Sequence, residues 1–418
     1  MRRRLPSCLA VVVLLTGCGG STSEGPAADP AGGDRAAAVR RPPRVEDVLL
    51  ITIDTLRADA LGYAGRDDVA TPTIDRLAAS GVVFTNAQAH NVVTLPSHAN
   101  ILTGLLPYEH GVRDNTGFTL PESIGSAATY FSRAGFATAA VVGASVLASR
   151  FGLAKDFDLY DESFTRAWGE QGRLPERPGS EVVERGLAWW RANAERRRFL
   201  WLHLYDVHAP YEPPEPFAST YARDPYLGEV AATDAYLTPL LEPFLAGGER
   251  PALIVFTADH GEALGDHGEL THGFFAYQET LQVPLVLWAP GLEPGTDDRL
   301  ARHVDLLPTM LEAAEVEGPE SPISGRSLFS DPVPGETISY LEAVSANLNR
   351  GWAPLRGVIH DGYKFISVPI PELYDLEADP AETENLVQTE RRIYADEAKL
   401  LRDQESRQHR NHEDTNND

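Results

Sequence analysis

Aspartate and histidine residues follow three separate apolar segments of the sequence. Asp54 follows LLITI, Asp206 and His208 follow FLWLHLY, and Asp259 and His260 follow LIVFTA. A set of carboxylates and imidazoles suits Zn²⁺ or Mn²⁺ better than Ca²⁺, which prefers a larger shell made of oxygen atoms. We therefore expect a single divalent cation held by Asp54, Asp259 and His260.

A fourth polar group comes from the segment NVVTLPSHANILTG, residues 91–104. It has the character of a hydrolase nucleophile segment, with Thr94 where cysteine or serine would be expected. A free threonine hydroxyl is a poor nucleophile, but coordination to a metal lowers its pKa. Residues 97–104 are predicted to continue as a helix, whose N-terminal dipole favours an anion.

The elements that must position these groups alternate along the chain. Apolar, β-branched runs typical of buried strands are separated by segments with apolar residues at helical spacing. This alternation predicts an α/β fold with a mostly parallel central sheet flanked by helices. Ligands of such sheets bind at the carboxyl ends of the strands, so the Asp and His residues should meet at one edge. The predicted strands are VLLITI, TAAVVGAS, RRFLWLHLY, PALIVFTAD and VPLVLWAP. The predicted helices are TPTIDRLAASG, ESIGSAATYFSRAG, SEVVERGLAWWRANAE and HVDLLPTMLEAA.

Length and charge limit the possible partners. The chain has 418 residues and a net charge of −25, with no basic stripe that could meet phosphates. A nucleic-acid partner is therefore not expected. An anionic ester substrate would be repelled by most of the surface, unless a bound cation reversed the charge locally. The sequence leaves the oligomeric state open.

The N-terminus is predicted to be an export signal. Residues 1–17 have a basic start and a short apolar run, and LLTGC resembles a bacterial lipobox ending in Cys18. We expect lipid on Cys18 and a place in the cell envelope, outside the cytoplasm; the alternative is a plain signal peptide. The other cysteine, Cys8, would be removed, leaving no disulfide and no catalytic thiol.

The remaining organisation follows from composition. Residues 18–44 are rich in Gly, Ala, Pro and Ser and are predicted to be a flexible tether. Residues 45–330 form the predicted catalytic domain. Residues 331–407 form a smaller subdomain with an antiparallel sheet, a tight turn at Asp361-Gly362 and a terminal helix near 389–407. Residues 408–418 are predicted to be disordered.

Six pieces of the sequence, in order, resemble the sulfatase-like branch of the alkaline phosphatase superfamily. This resemblance implies a metal-dependent ester hydrolase of that fold. The pieces are LLITIDTLRADALGYAG, TLPSHANILTGLLPYEHGV, HLYDVHAPYEPP, FTADHGEALGDHGELTHGFFAYQETLQVPLVLWAPG, RHVDLLPTML and YKFISVPIPELYDLEADPAETENL.

The chain departs from true sulfatases at the positions that matter most. Those enzymes have C/S-x-P-x-R, whose first residue is oxidised to formylglycine, whereas this chain has Thr94-Leu95-Pro96-Ser97-His98. The family's Asp-Asp pair is Asp54-Thr55, and its Asp-Asn pair is Asp259-His260. The set resembles that of threonine-nucleophile phosphodiesterases and phosphotransferases in the same superfamily, with Thr94 both ligand and nucleophile.

The other matched residues have roles with alternatives. His272 lies where sulfatases carry a lysine near the leaving group, and an imidazole suits a general acid there. Asp206 and His208 are expected to contact substrate, and the alternative is that they bind a second metal. The two-metal relatives have the spacing Asp-x-x-x-His. This chain has Asp-x-His, with Pro210 at the position of that histidine, so one metal is favoured. Further candidates for substrate contact, each of which could instead be structural, are His98, Asn115 and Arg57.

The sequence thus predicts a hydrolase of phosphate or sulfate esters, with a phosphoester the more expected substrate. One alternative is a transferase that moves a phosphate headgroup to an envelope acceptor, although such enzymes usually have several membrane spans. Another alternative is a non-catalytic binding module stabilised by a metal, against which the intact Thr, Asp and His set argues.

Overall fold

The structure, a computed structural model, describes residues 41–164, 175–331 and 338–415, with side chains as far as residue 406. The predicted signal peptide and almost all of the predicted tether lie outside the described residues. The lipid anchor and the export of the chain therefore stay predictions.

The strands of the described residues belong to three sheets. In chain order they are β1 (Asp47–Ile53), β2 (Val82–Phe84), β3 (Ala87–Gln88), β4 (Ala137–Val142), β5 (Leu159–Asp161), β6 (Arg198–Leu204), β7 (Ala252–Ala258), β8 (Leu285–Trp288), β9 (Gly295–Asp297), β10 (Ala301–Arg302), β11 (Ser339–Ala343), β12 (Leu355–His360), β13 (Tyr363–Ser367) and β14 (Glu372–Asp375).

The largest sheet has the strand order β5-β4-β6-β1-β7-β8-β2-β9. Its pairs are parallel except where β8 meets β7 and β2. The central strands β1, β6 and β7 are buried along their whole length, as expected for continuous apolar runs covered on both faces. The predicted α/β class with a mostly parallel sheet is confirmed.

The helices of the described residues lie mainly between these strands. They are α1 (Pro72–Ser80), α2 (Thr94–Thr103), α3 (Pro107–His110), α4 (Ala127–Arg133), α5 (Gly179–Ala192), α6 (Phe217–Thr220), α7 (Pro225–Leu245), α8 (Gln278–Leu281), α9 (Leu306–Ala314), α10 (Ser345–Arg350) and α11 (Arg391–Thr415).

The sequence did not predict α7, although α7 is the longest helix that lies within 45–330. It contains Pro239 and Pro243, and much of its surface is buried, so it lacks the one-sided apolar stripe of a surface helix. Its Asp234 accepts hydrogen bonds from the backbone N–H groups of Thr73 (3.2 Å) and Ile74 (2.8 Å). Asp234 therefore satisfies the free N–H groups at the start of α1.

The C-terminal part contains the predicted small antiparallel sheet, in the order β11-β12-β13-β14. Asp361 (φ 47°) and Gly362 (φ 80°) both lie in the left-handed region, which the tight hairpin between β12 and β13 requires. The terminal helix α11 starts close to its predicted position, but its backbone stays helical to Thr415, through part of the predicted tail.

Among the described residues, no helix has both the length and the apolar character needed to cross a bilayer.

Candidate active site

The central strands bring the predicted metal ligands together through their register. Ile53 at the end of β1 pairs with Ala258 at the end of β7, so Asp54 and Asp259 are the next residues on adjacent parallel strands. His260 follows Asp259 directly. All three side chains are completely buried. The convergence expected at the carboxyl edge of the sheet is therefore present.

Three ligand atoms face one another in this cluster. His260 Nε2 lies 3.5 Å from Asp259 Oδ2 and 3.9 Å from Asp54 Oδ1. Each of these atoms is buried without a hydrogen-bond partner among the described residues. Tetrahedral ligands about 2.1 Å from a zinc ion lie roughly 3.4 Å apart, so the spacing fits a small divalent cation.

The rest of each ligand group is fixed by the chain. Asp259 Oδ1 accepts hydrogen bonds from the backbone N–H groups of Thr55 (3.2 Å) and His260 (2.9 Å), which leaves Oδ2 for a cation. His260 Nδ1 donates to Gly261 O at 2.9 Å, so its Nε2 carries the lone pair. Holding the far nitrogen of a ligating histidine in this way is the usual arrangement around protein-bound metals.

The electrostatics of the cluster also favour a cation. Burial raises the pKa values of both Asp54 and Asp259, and the proximity of Asp54 raises that of Asp259 further. Burial opposes a charge on His260, but Asp259 and Asp54 outweigh it and raise the pKa of the imidazole. A divalent cation would neutralise this buried charge and give the three ligand atoms a partner.

Thr94 lies beside the same cluster. It is the first residue of α2, and its Oγ1 is 3.3 Å from Asp54 Oδ2, to which it donates. Asn115 Oδ1 accepts from the backbone N–H of Leu95 at 2.8 Å and so fixes the turn that presents the hydroxyl. The other N–H groups of the first helical turn make the entrance favourable for an anion.

The backbone is strained directly after the first ligand. Thr55 has a φ of 54°, a left-handed conformation that is costly for a β-branched residue. It is held there because its Oγ1 donates to Val207 O (2.8 Å) and its N–H donates to Asp259. Strain of this kind collects at functional sites, and here it aims the Asp54 side chain.

His203, which the sequence suggested was only a core residue, orients Asp54. Its Nδ1 accepts from Gly143 N at 3.3 Å, so Nε2 carries the proton and donates to Asp54 Oδ2 at 3.3 Å. Burial lowers the pKa of His203 to about 4, which keeps it neutral. No local motif marks this role, since it depends on the pairing of β6 with β1.

His98 lies behind the nucleophile. It is completely buried, Nδ1 donates to Thr94 O (2.8 Å), and Nε2 accepts from Thr52 Oγ1 (3.0 Å). Both ring nitrogens of His98 are thus engaged in hydrogen bonds within the protein. This arrangement favours the structural role over the expected contact with substrate. The same hydrogen bonds make a second possible metal group, His98, His203 and Asp259, less suitable than the first.

His272 and His208 line the open side of the cluster. The His272 ring centre is 4.5 Å from that of His260 and 5.1 Å from that of His208. Burial and the neighbouring His260 hold the pKa of His272 well below its ordinary value, and burial lowers the pKa of His208 to about 4. Neutral imidazoles accept protons, so this direction does not favour the general-acid role expected for His272.

Glu262, which sequence reasoning missed, supports His272. Its Oε1 accepts from His272 Nδ1 at 3.0 Å, and its Oε2 accepts from Tyr211 at 3.0 Å. With Nδ1 donating, His272 Nε2 is left as an acceptor. The only signal in the sequence was proximity, since Glu262 comes two residues after His260.

The remaining candidates take other positions. Arg57 donates to Asp59 and Asp266, both at 2.8 Å, and so braces two carboxylates, which was the alternative to substrate contact. Asp206 packs on Gly179 at the start of α5, where an added Cβ would lie 2.4 Å from its Oδ2. These contacts tie Arg57 to Asp59 and Asp266 and place Asp206 against the start of α5.

Comparisons with known proteins agree with this architecture. The family model described as sulfatase matches residues 46–316, and the one described as N-sulphoglucosamine sulphohydrolase, C-terminal, matches residues 265–409. A protein named Uncharacterized sulfatase YidJ of Escherichia coli (strain K12) is 24% identical, over 81% of this chain and 82% of its own length. Arylsulfatase A of Homo sapiens is 26% identical, over 84% of each chain.

Solved structures share the fold at lower identity. BT4656, in complex with its substrate D-glucosamine-2-N,6-O-disulfate, has a TM-score of 0.74 at 20% identity and covers 89% of this chain and 99% of its own. The phosphonate monoester hydrolase of Agrobacterium radiobacter has a TM-score of 0.71 at 18% identity and covers 88% and 96%. Because the sulfatase model matches more than half of the chain, the protein is an ester hydrolase that belongs to the sulfatase family.

Proposed function

We propose that this protein is a metal-dependent hydrolase of phosphate or phosphonate esters, with Thr94 as its nucleophile. The observation that carries the proposal is the hydrogen bond of 3.3 Å from Thr94 Oγ1 to Asp54 Oδ2. The other oxygen of that carboxylate is one of three buried ligand atoms without a hydrogen-bond partner among the described residues. A hydroxyl at such a position can become an attacking oxygen, which isolated threonine cannot do at neutral pH.

The residue type of the nucleophile favours phosphorus over sulfur. Threonine carries a methyl group on Cβ, so its oxidation would give a ketone and not the aldehyde formylglycine of true sulfatases. The hydroxyl must therefore act as it stands. Phosphoryl transfer through a threonine ester is chemically straightforward, and one structural neighbour is a phosphonate monoester hydrolase.

The ligand set supports zinc or manganese. Asp54, Asp259 and His260 supply two oxygen atoms and one nitrogen, and Thr94 Oγ1 would be a fourth ligand. A bound cation would supply the positive charge that lowers the pKa of the hydroxyl and stabilises charge on the ester oxygens. Ca²⁺ would require more oxygen ligands than this buried pocket offers.

In the first chemical step, Thr94 Oγ1 gives up its proton to Asp54 Oδ2, its hydrogen-bond acceptor. The oxygen attacks phosphorus in line, the bond from phosphorus to the alcohol oxygen breaks, and that oxygen leaves with the electron pair. Asn115 keeps the turn rigid during this step through Leu95. His203 keeps Asp54 in the orientation that accepts the proton.

In the second step, water attacks phosphorus from the side vacated by the alcohol. His272 Nε2 accepts a proton from this water, while Glu262 steadies the imidazole through Nδ1. The bond between phosphorus and Thr94 Oγ1 breaks, and the threonine oxygen takes back the proton that Asp54 Oδ2 received in the first step. The neutral state of His272, set by burial and by His260, suits this acceptor role.

We infer that the enzyme works outside the cytoplasm, attached to the cell envelope by lipid on Cys18. The support is the basic start, the short apolar run and the LLTGC sequence at the N-terminus. Radiolabelled fatty acid incorporated by cells that express the full chain, but not by cells that express Cys18→Ser, would test this part.

Thr94→Ala and Thr94→Ser test the proposal. Each purified variant is compared with the wild type on aryl phosphate, phosphodiester, phosphonate and sulfate esters, with Zn²⁺ or Mn²⁺ added. Thr94→Ala should lower kcat by at least roughly 10³-fold, while Thr94→Ser should keep measurable turnover because it retains the hydroxyl. An unchanged rate in Thr94→Ala would refute the mechanism, and a marked preference for sulfate would refute the proposed substrate.

A further inference from the structure

Two segments beside the site expose apolar side chains. The first runs from β7 to α8 and carries Leu270, Phe274 and Phe275, with exposed fractions of 81%, 38% and 37%. The second is α10 and the residues after it, where Leu348 is 50% and Trp352 is 55% exposed. Isolated exposed apolar residues are ordinary, but these belong to the two segments that flank the nucleophile.

The first segment is fixed against the nucleophile turn. Gly273, one residue after His272, has a φ of 107° and lies so close to Val93 that an added Cβ would be 3.6 Å from its Cγ1. The carboxylate of the buried residue Glu269 accepts from the backbone N–H groups of Phe274 (2.9 Å) and Phe275 (3.1 Å). The backbone of the two aromatic residues is therefore held by a buried carboxyl group.

The second segment is tied to the same turn from the other side. Asp114 Oδ1 accepts from Ser345 Oγ, and Asp114 Oδ2 accepts from Asn349 Nδ2, both at 2.7 Å. The next residue, Asn115, holds the N–H of Leu95. Through Asp114 and Asn115, α10 has a defined position relative to Thr94.

The two segments meet at Phe274 and Trp352, whose ring centres are 5.9 Å apart at an interplanar angle of 35°. We call this pair the apolar lip. The lip consists of two aromatic side chains that remain partly exposed, and neither of them offers a charge to an anionic group. A polar or polyanionic group would gain nothing from it, whereas an apolar ring could bury surface against both side chains.

We propose that the apolar lip binds the alcohol part of the ester, so that this enzyme acts on esters of apolar, preferably aromatic, alcohols and not on esters of polyanionic glycans. The inference rests on the proposed function, because it takes Thr94 as the point of attack. It adds Phe274 and Trp352 as the residues that determine which alcohol is accepted.

The test uses the full protein and two aryl phosphate esters with leaving groups of equal acidity. One leaving group is an unsubstituted fused ring, and the other carries carboxylates. The wild type should prefer the apolar ester in kcat/KM, and Trp352→Ala and Phe274→Ala should each reduce this ratio roughly 5- to 20-fold, mainly through KM. The matched control is Ile370→Ala, which removes an apolar side chain that is 78% exposed from the turn between β13 and β14.

A second measurement separates failure of the lip from failure of the proposed function. The dissociation constants of naphthyl- and methylphosphonic acid, which have no ester bond to cleave, are measured for the same variants. Weaker naphthylphosphonate binding in both lip variants supports the lip even if no ester is turned over. The lip would be overturned if the wild type had the same kcat/KM for the two aryl esters. It would also be overturned if the variants lost kcat/KM equally on both esters. A third contrary result is that Trp352→Ala and Phe274→Ala change only the binding of the protein to phosphatidylglycerol vesicles, because the lip would then contact a membrane and not the substrate.

Discussion

A divalent cation should raise the melting temperature of this protein, because it would satisfy three buried ligand atoms at once. Asp54 Oδ1, Asp259 Oδ2 and His260 Nε2 have no hydrogen-bond partner among the described residues. At a cation concentration 1,000 times its Kd, linkage adds about 4.1 kcal/mol to the free energy of unfolding. The entropy of unfolding is about 2.1 cal/mol/K per residue, or roughly 0.9 kcal/mol/K for the 418 residues of this chain, so Tm should rise by about 5 °C.

Calorimetry would measure this shift on protein treated with a chelator, dialysed, and then titrated with Zn²⁺, Mn²⁺ or Ca²⁺. Asp259→Asn and His260→Ala should lose most of the shift. The matched control is Asp47→Asn, which likewise removes a buried carboxylate. Asp47 is the first residue of β1, far along the strand from Asp54, and it is already paired with Arg198 and Arg250. This variant should have a lower Tm and keep the shift. The same increase in Asp259→Asn as in the wild type would refute the metal site.

Two further substitutions test the groups that support the ligands and the base. Glu262→Gln should lower kcat about 10- to 100-fold with little change in KM, because His272 loses the carboxylate that fixes its ring. Tyr211→Phe, which removes the other hydrogen bond of Glu262, should lower kcat much less. Equal losses of kcat in the two variants would contradict this. His203→Ala should weaken metal affinity about 10- to 100-fold, because Asp54 loses the hydrogen bond from His203. Competition with a chelator measures the Kd for the metal, and an unchanged Kd would show that His203 only fills the core.

The central sheet could be predicted from the sequence because its main strands are continuous apolar runs. LLITI, FLWLHL and LIVFTA can be buried on both faces only in a covered parallel sheet, and their polar ends then meet at one edge. This rule places the three proposed ligands, Asp54, Asp259 and His260, at that edge. The helix α7 could not be predicted, because prolines at 239 and 243 and burial on many sides remove the usual helical signals.

The supporting residues depended on contacts that no local pattern records. His203 reaches Asp54 because β6 pairs with β1, and Glu262 reaches His272 because the chain after β7 folds back on itself. His98 and Arg57 were placed near the site by the resemblance, but the hydrogen bonds that occupy their side chains come from distant parts of the chain. Sequence spacing identifies groups that share an edge, whereas tertiary contacts decide which of their atoms remain available.

The central claim is that Thr94 becomes covalently attached to phosphorus during turnover, and trapping that intermediate tests it most directly. The wild type is mixed with an excess of an aryl phosphate, quenched in acid within milliseconds, digested and examined by mass spectrometry. The account predicts one phosphoryl group on the tryptic peptide of residues 77–113, located on Thr94 and absent from Thr94→Ala. Steady turnover with an unmodified Thr94 at every quench time, or a phosphoryl group on another residue, would contradict it.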